Sequence, residues 1–385
     1  MTEAIKTPPS PEELEQRLTK VRNLMAREEL EYCVTGHTDN VYYLTNFAYV
    51  PFERPFFLVI PAAGVPALIL PELEMSHAES RVVLPVDYAT YYEFPAPEGQ
   101  TYVDALKDVI PMDARVGVES SLSLAHQAVM PGRLKVVDVI DEARVVKTDY
   151  EVGRIAYASQ IVDAGLAKCL ELSRPGVLEM TLYGESVRHM MGLVIMEVPN
   201  ANLLVSKFLC AVWPGKFSAQ PHSVPGLFDP LEEGGPNVVI VTAQADGYSA
   251  EVERTFFLGR VPEASRRAFD VCMEARALGY ERIKPGAVAA EVDEAVLNLL
   301  KKRGYGQAIL HRTGHGFGIT GHEPPWIALG SGDVLEKNMV VSIEPGIYLP
   351  EIGGFRHSDT VLITDRGCQS LTKAPDKIEA LILAV

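Results

Sequence analysis

Five of the nine histidines fall in two β-rich stretches that also carry acids. His222 lies in Gln220-Pro221-His222-Ser223, while His311, His315, His322 and His357 lie within a later stretch. Imidazole changes charge near neutral pH, so such residues can move protons or donate a lone pair to a metal. The acids sit where an apolar strand should carry none. Glu251-Val252-Glu253-Arg254-Thr255 runs straight into Phe256-Phe257-Leu258, and Ile343-Glu344-Pro345 follows Met339-Val340-Val341-Ser342. Side chains on a strand alternate faces, which puts Glu251 and Glu253 on the same side. Buried acids need partners or a chemical role. The other reading is an edge strand with its acids in solvent. His37, His77, His126 and His189 are scattered singly and read as surface or packing residues.

The elements that must position these groups are legible in outline. Ser10 can cap a helix that starts at Pro11, has Glu12 and Glu13 in its first turn, and runs to about Glu29. Short β-rich runs follow at Tyr32 to Thr35, Phe56 to Ile60, Ala67 to Leu70 and Arg115 to Val118, with helical segments near Ala105 and Ala125. Residues 1–143 therefore read as an α/β domain. At Thr148-Asp149-Tyr150-Glu151 a capping-box spacing opens a long helix through about Leu172, so a second domain is expected over 144–385. Within it a weak repeat stands out. Arg174-Pro175-Gly176-Val177 and, 110 residues later, Lys284-Pro285-Gly286-Ala287 each precede a helix, Met180 to Met191 or Ala289 to Lys302, and then long β-rich segments. A duplicated α-then-β unit would form two half-sheets facing a pocket. The plainer alternative is that Pro-Gly only punctuates two unrelated helix pairs.

Composition narrows the function classes. A length of 385 residues suggests two domains, possibly three, and 47% hydrophobic with 22% charged residues is ordinary for a globular chain. The formal charge of −16 repels phosphate backbones and anionic lipid, so neither nucleic acid nor a membrane surface is an expected partner. Lys301, Lys302 and Arg303 read as the solvated end of a helix. The five cysteines are spread far apart without a Cys-x-x-Cys pairing and read as thiols in a reducing compartment. No secretory leader is visible, and the most apolar stretch, Phe56 to Leu70, is broken by Pro61, Gly64 and Pro66. A cytoplasmic location is expected.

The motifs themselves are specific. Thr313-Gly314-His315-Gly316-Phe317-Gly318, His322-Glu323-Pro324, Ser342-Ile343-Glu344-Pro345-Gly346-Ile347-Tyr348, and Gly354-Phe355-Arg356 with Asp359-Thr360-Val361-Leu362 resemble, in order and spacing, the creatinase/aminopeptidase P/prolidase superfamily. The resemblance extends to Tyr248, to Arg254-Thr255 and to the N-terminal domain. It implies an α/β (α+β) chain: a creatinase-like α/β domain followed by a pita-bread domain with pseudo-twofold duplication, which agrees with the repeat. It also implies a homodimer, because Phe52-Glu53-Arg54-Pro55 is similar to the segment by which a creatinase subunit offers an arginine to its partner's substrate.

The superfamily's peptidases hold two divalent metals with two Asp, one His and two Glu. Carried over residue by residue, the histidine is His315 and the first Glu is Glu344. Glu251 stands at the second Asp, Ile240 at the first, and Ser358 at the second Glu. Two dications at the usual separation of about 3.5 to 4 Å repel by roughly 20 kcal/mol at an effective dielectric near 20. Two carboxylates do not offset that, so a binuclear site is not expected. The sequence leans instead toward the metal-free creatinase branch, where the acid corresponding to Glu253 is functional and His222 matches the proton shuttle. Trp326 stands where creatinase carries a second carboxylate-binding arginine.

The resulting expectation is a hydrolase that cleaves a C–N bond in a small polar, carboxylate-bearing substrate with no cofactor. His222, Glu253, His315, His322 and Glu344 would be catalytic, and Arg54, Tyr248, Glu251, Trp326 and Arg356 would bind substrate. The first alternative is an Xaa-Pro dipeptidase or aminopeptidase with a single Mn, Zn or Co ion on Glu251, His315 and Glu344 and a dipeptide as substrate. The second is a ligand-binding pseudoenzyme that kept the pocket.

Overall fold

The computed structural model describes residues 2–224 and 226–385; Met1 and Pro225 lie outside the described residues. Two compact units emerge, one from Pro8–Arg144 and the other from Val145–Val385 together with the start of the chain up to Thr7.

In the first unit, α1 (Pro11–Arg27) begins with the Ser10 Oγ accepting from Glu13 N at 3.3 Å. It ends two residues short of the expected Glu29. Glu29 adopts φ 56°, and Leu30 N turns back to Met25 O at 2.9 Å, which closes the helix with a left-handed cap. There follow β1 (Tyr32–Thr35), α2 (Thr38–Thr45), β2 (Phe57–Pro61), β3 (Ala67–Pro71), α3 (Met75–Arg81), β4 (Asp87–Tyr91), α4 (Tyr102–Val109), β5 (Arg115–Val118), α5 (Leu124–Val129), β6 (Arg133–Val136) and α6 (Val139–Val145). The six strands form one sheet in the order β4-β3-β2-β1-β5-β6, with β1-β2 and β2-β3 antiparallel and the other pairs parallel. The apolar run from Phe56 to Leu70 is thus the antiparallel pair β2-β3. Its Phe57, Val59 and Ile69 pack with Val34, Leu106, Val116 and Val118 in the core of this unit.

The second unit opens with α7 (Asp149–Leu172), whose capping box is complete: Thr148 Oγ1 accepts from Glu151 N at 3.2 Å and Glu151 Oε2 accepts from Thr148 N at 3.0 Å. Next come α8 (Glu179–Glu197), β7 (Lys207–Pro214), β8 (Gly234–Ala245) and β9 (Tyr248–Leu258), then α9 (Glu263–Arg282) and α10 (Ala289–Lys302). The remaining strands are β10 (Gly314–Gly316), β11 (Glu323–Ile327), β12 (Val340–Ser342), β13 (Gly346–Leu349), β14 (Gly353–Arg356), β15 (Ser358–Ile363), β16 (Cys368–Ser370) and β17 (Ile382–Leu383). The main sheet runs β11-β10-β12-β15-β9-β8-β7, with β16 on β15, β17 on β9, and β13-β14 as a separate hairpin.

The internal duplication is real down to single hydrogen bonds. Gly176 and Gly286 sit at φ 84° and 83°, a left-handed conformation that glycine adopts without strain. Gly176 N donates to Leu231 O and Gly286 N to Leu335 O, both at 2.8 Å, and Leu231 N and Leu335 N return bonds to Val177 O and Ala287 O. Pro-Gly therefore marks equivalent corners of two α-then-β halves. Leu166, Leu182, Met190, Val239, Val252, Phe256 and Phe269 fill the shared core. Four of the five cysteines are buried as free thiols, and Cys272 on α9 donates from Sγ to Pro345 O at 3.2 Å. Among the described residues, no helix is long and apolar enough to cross a membrane.

Candidate active site

β9 is interior to its sheet, between β15 and β8, so the edge-strand reading of its acids fails. Ser358 and Ile240 lie opposite Glu253 on the flanking strands, and Thr242 lies opposite Glu251. Glu251 and Glu253 are both buried and both face the same side, where Glu344 joins them. Ser358 Oγ donates to Glu251 Oε1 at 2.9 Å. Glu253 Oε2 forms an ion pair with Arg356 Nε at 2.7 Å. Arg356 Nη1 donates in turn to the Tyr348 hydroxyl at 3.1 Å, and that hydroxyl lies 2.7 Å from His311 Nε2. His311 Nδ1 is 2.7 Å from Arg312 O, which fixes the ring proton on Nδ1 and leaves Nε2 to accept from Tyr348. The β13-β14 hairpin, which pairs Gly346 with Arg356, thereby holds one wall of the site.

The opposite wall is the segment around His315. Gly314 and Gly316 are required here, because a Cβ at each would collide with the backbone oxygens Ser342 O and Pro324 O, and at Gly318 it would meet the Glu323 carboxylate. The close approach of neighbouring backbone pins β10, and His315 N is further held by Ser342 Oγ at 2.9 Å. The fully buried His315 ring directs Nδ1 to Gly316 O at 3.2 Å, which places the proton on Nδ1. Its Nε2 has no hydrogen-bond partner among the described residues and stands 3.4 Å from Glu344 Oε1. The ring stacks on that of the exposed His322, with centroids 3.8 Å apart and planes at 23°.

Electrostatics follow from burying like charges together. Burial, then the nearby His322, pulls His315 down to about 3, and burial with Arg356 pulls His311 down to about 4, so both imidazoles are neutral at working pH. Burial likewise lowers His322. Among the acids, burial pushes Glu253 up to about 8 against the pull of Arg356, and burial with Glu251 and Glu253 raises Glu344 well above the usual carboxylate range. His222 occupies an exposed turn, close enough for its charge to depress both His311 and His322. That turn is tethered by Trp213 Nε1, which donates to Ser223 O at 2.8 Å.

His222, Glu251, Glu253, His315, His322, Glu344 and Arg356 thus come together, whereas Tyr248, His357 and Arg254 turn away from them. Tyr248 lies on the other face of β9, its ring against Tyr150 and its hydroxyl 3.5 Å from Glu151 Oε1. Arg54 belongs to the Pro8–Arg144 unit, where Glu93 grips it through two contacts of 2.6 and 3.1 Å and Glu53 adds a third at 2.6 Å. His357 faces the core against Phe269. Arg254 is consumed by Asp359 at 2.8 Å and by surrounding carbonyls. Trp326, half-buried on β11, carries the Arg312 guanidinium over its ring at 4.8 Å. Sequence reasoning missed Arg312 and Tyr348, and it grouped His311 with the other patterned histidines without giving it a role, although each sits within or beside a quoted motif. A charge directly before Thr313-Gly314-His315 was the available signal for Arg312.

The donor set can be tested against a metal. His315 Nε2 is a buried, unpartnered lone pair whose tautomer a backbone carbonyl fixes, the arrangement that metal-ligating histidines use. Glu251, His315 and His322 each offer a ligand atom within 4.8 Å of the others, and so do Glu251, Glu253 and Glu344. One cation fits such a set. The five-ligand arrangement expected for a pair is not reproduced: Ile240 packs with Ala211, Trp213 and Val238, and Ser358 Oγ is engaged with Glu251, so two of those positions carry no carboxylate.

Comparison with known proteins is consistent with a bound cation. Metallopeptidase family M24 matches residues 153–365, and the creatinase/prolidase N-terminal domain matches residues 17–148. The Xaa-Pro dipeptidase of Pyrococcus furiosus is 30% identical over 366 residues, covering 94% of this chain and 98% of the relative. The probable dipeptidase PepE of Mycobacterium tuberculosis is 29% identical over 87% of this chain and 88% of its own length. Among solved structures, the prolidase from Pyrococcus horikoshii superposes with a TM-score of 0.81 at 27% identity, covering 94% of this chain and 99% of that one. Two expectations are corrected by these findings. The leaning toward the metal-free creatinase branch is not supported, since the similar proteins are dipeptidases. The expectation that no cofactor is needed is overturned by the match to a metallopeptidase family and by the ligand groups around Glu251.

Proposed function

The chain belongs to metallopeptidase family M24, and on that premise we propose that it is a dipeptidase that hydrolyses Xaa-Pro dipeptides with one bound divalent cation. The observation that carries this reading is the buried, unpartnered His315 Nε2 beside Glu344 and within ligand range of Glu251 and His322. Glu251, His315 and His322 would hold the cation. The chemistry it supplies when bound is Lewis-acid polarisation of the scissile carbonyl and activation of a water.

The chain's own residues account for the rest. Glu344 carries the proton at the reacting bond. As a carboxylate beside the bound cation, it would accept a proton from the attacking water and return it to the leaving nitrogen. His222, on its exposed turn, exchanges protons between the site and solvent. Glu253 is fixed by Arg356, and Arg356 by Tyr348 and His311, so this wall keeps its shape through the reaction. Glu253, whose Oε2 meets Arg356, would offer its other carboxylate oxygen to the ammonium end of a dipeptide by a charge-assisted hydrogen bond.

The test combines elemental analysis with turnover. Dialysis against EDTA should abolish cleavage of Ala-Pro, and Mn²⁺, Co²⁺ or Zn²⁺ should restore it. His315→Ala should lose the bound metal and, with it, the rise in melting temperature that added Mn²⁺ gives the wild type. A saturating ligand that binds only the folded state stabilises it by about 2.7 kcal/mol at one hundred times its dissociation constant. A metal-free sample that still cleaves Ala-Pro at the untreated rate would overturn the reading.

A further inference from the structure

We propose that the Arg312 guanidinium, stacked on Trp326, is the group that recognises a free carboxylate on the substrate and so restricts the site to short peptides with an unblocked C-terminus. The identity of that substrate as a dipeptide rests on the peptidase function; the carboxylate specificity rests on the placement of Arg312 itself.

Arg312 is anchored at its base and free at its tip. Its Nε donates to Gly314 O at 3.1 Å, one residue from His315, and its guanidinium carbon lies 4.8 Å from the centre of the Trp326 ring. Both terminal nitrogens are left without a hydrogen bond or ion pair to any described residue. Trp326 is itself held, because its backbone N–H donates to Asp333 Oδ2 at 3.0 Å and that oxygen also accepts from Ser331 Oγ at 2.9 Å. Stacking on a fixed indole leaves a planar fork of donors preorganised for two parallel bonds to a carboxylate.

The other arginines around the site are spoken for. Arg356 is paired with Glu253 at 2.7 Å, and Arg254 with Asp359 at 2.8 Å. Arg312 is anchored beside His315 through Gly314 O, close enough that its charge acts on His311, His315, His322 and Glu344. Yet it reaches none of the three clustered acids within ion-pair distance. A half-buried cation poised beside surplus acid without pairing to it has its donors available for an incoming anion. A substrate with an ammonium at one end and a carboxylate at the other would match the acids and Arg312 in turn.

Calorimetry with L-proline and L-prolinamide, on Mn²⁺-loaded wild type, Arg312→Ala and Arg312→Lys, decides the matter. Wild type should prefer the acid by roughly 10- to 100-fold, the range of a charge-assisted bond. Arg312→Ala should bring that ratio near one, and Arg312→Lys, which keeps the charge but loses the fork, should fall between. An undiminished preference in Arg312→Ala, or a wild type with no preference or no binding of either compound, overturns the proposal. Cleavage of Ala-Pro is read separately: if it is absent while the preference holds and disappears in Arg312→Ala, the peptidase reading fails and the carboxylate site stands.

Discussion

Ser358 Oγ donates a 2.9 Å hydrogen bond to Glu251 Oε1 across the β15-β9 pair. A hydroxyl thus occupies ground where a second acid would be needed to bridge two cations, while Ile240 stands opposite Glu253 on the other flank. The wild type should therefore bind one Mn²⁺ per chain. Installing both missing carboxylates, as Ile240→Asp with Ser358→Glu, should raise the stoichiometry to two, as counted by elemental analysis after dialysis. Two equivalents in the wild type would show that the site recruits ligands from elsewhere.

His222 sits on an exposed turn. If it exchanges the catalytic proton with solvent, His222→Ala should lower kcat for Ala-Pro by about 100-fold or more while the melting temperature and metal content stay unchanged. Stopped assays across pH 5 to 8 give the cleanest comparison. Near-normal turnover would remove His222 from the mechanism.

Asp359 is buried between Arg254 and Arg276, on which it makes separate contacts through its two oxygens. Burial alone would raise its carboxyl, yet the two guanidinium groups hold it below the usual range. Asp359→Ala removes the carboxylate partner of the buried Arg254 and leaves Arg276 only its 3.8 Å contact with Asp376, and should cost about 3 to 5 kcal/mol in urea unfolding. Little or no loss would mean that water reaches the cluster readily.

Asp163 on α7 behaves in the opposite sense. Burial pushes its carboxyl from 3.8 up to about 7, despite the Lys373 N–H at 2.7 Å, and its Oδ1 has no partner among the described residues. An acid whose folded pKa is raised binds its proton more tightly when folded. Its stabilising contribution is complete below about pH 4 and is lost as pH climbs to about 7. Asp163→Asn should abolish that decline, making the variant more stable than wild type at pH 8 by of the order of 4 kcal/mol relative to the comparison at pH 4. Parallel denaturant midpoints at the two pH values check the sign.

The sequence disclosed much of the architecture because its signals are local. The Thr148–Glu151 capping box, the two Pro-Gly corners and the period-two placement of Glu251 and Glu253 each depend on neighbours a few residues away. Three relationships were not legible. That Arg356 meets Glu253, that Arg312 lies on Trp326 and that Tyr248 turns to Glu151 are consequences of strand register and of which face a strand presents. The metal question went astray for a related reason. Counting lost carboxylates showed that a paired site was impoverished, but only the packed structure reveals that His315 keeps a buried lone pair with nothing to receive it.

The thiols give the molecule built-in reporters of its own breathing. Cys33 lies at the heart of the Pro8–Arg144 unit, whereas Cys169, Cys210 and Cys272 are sealed inside the other, with burial pushing Cys272 up to about 12. A thiol reagent can trap such groups only during transient opening, so its reaction rate at each position measures how often that region comes apart. Cys272, bonded to Pro345 O just beyond Glu344, would time the loosening of the active-site wall without any label being engineered.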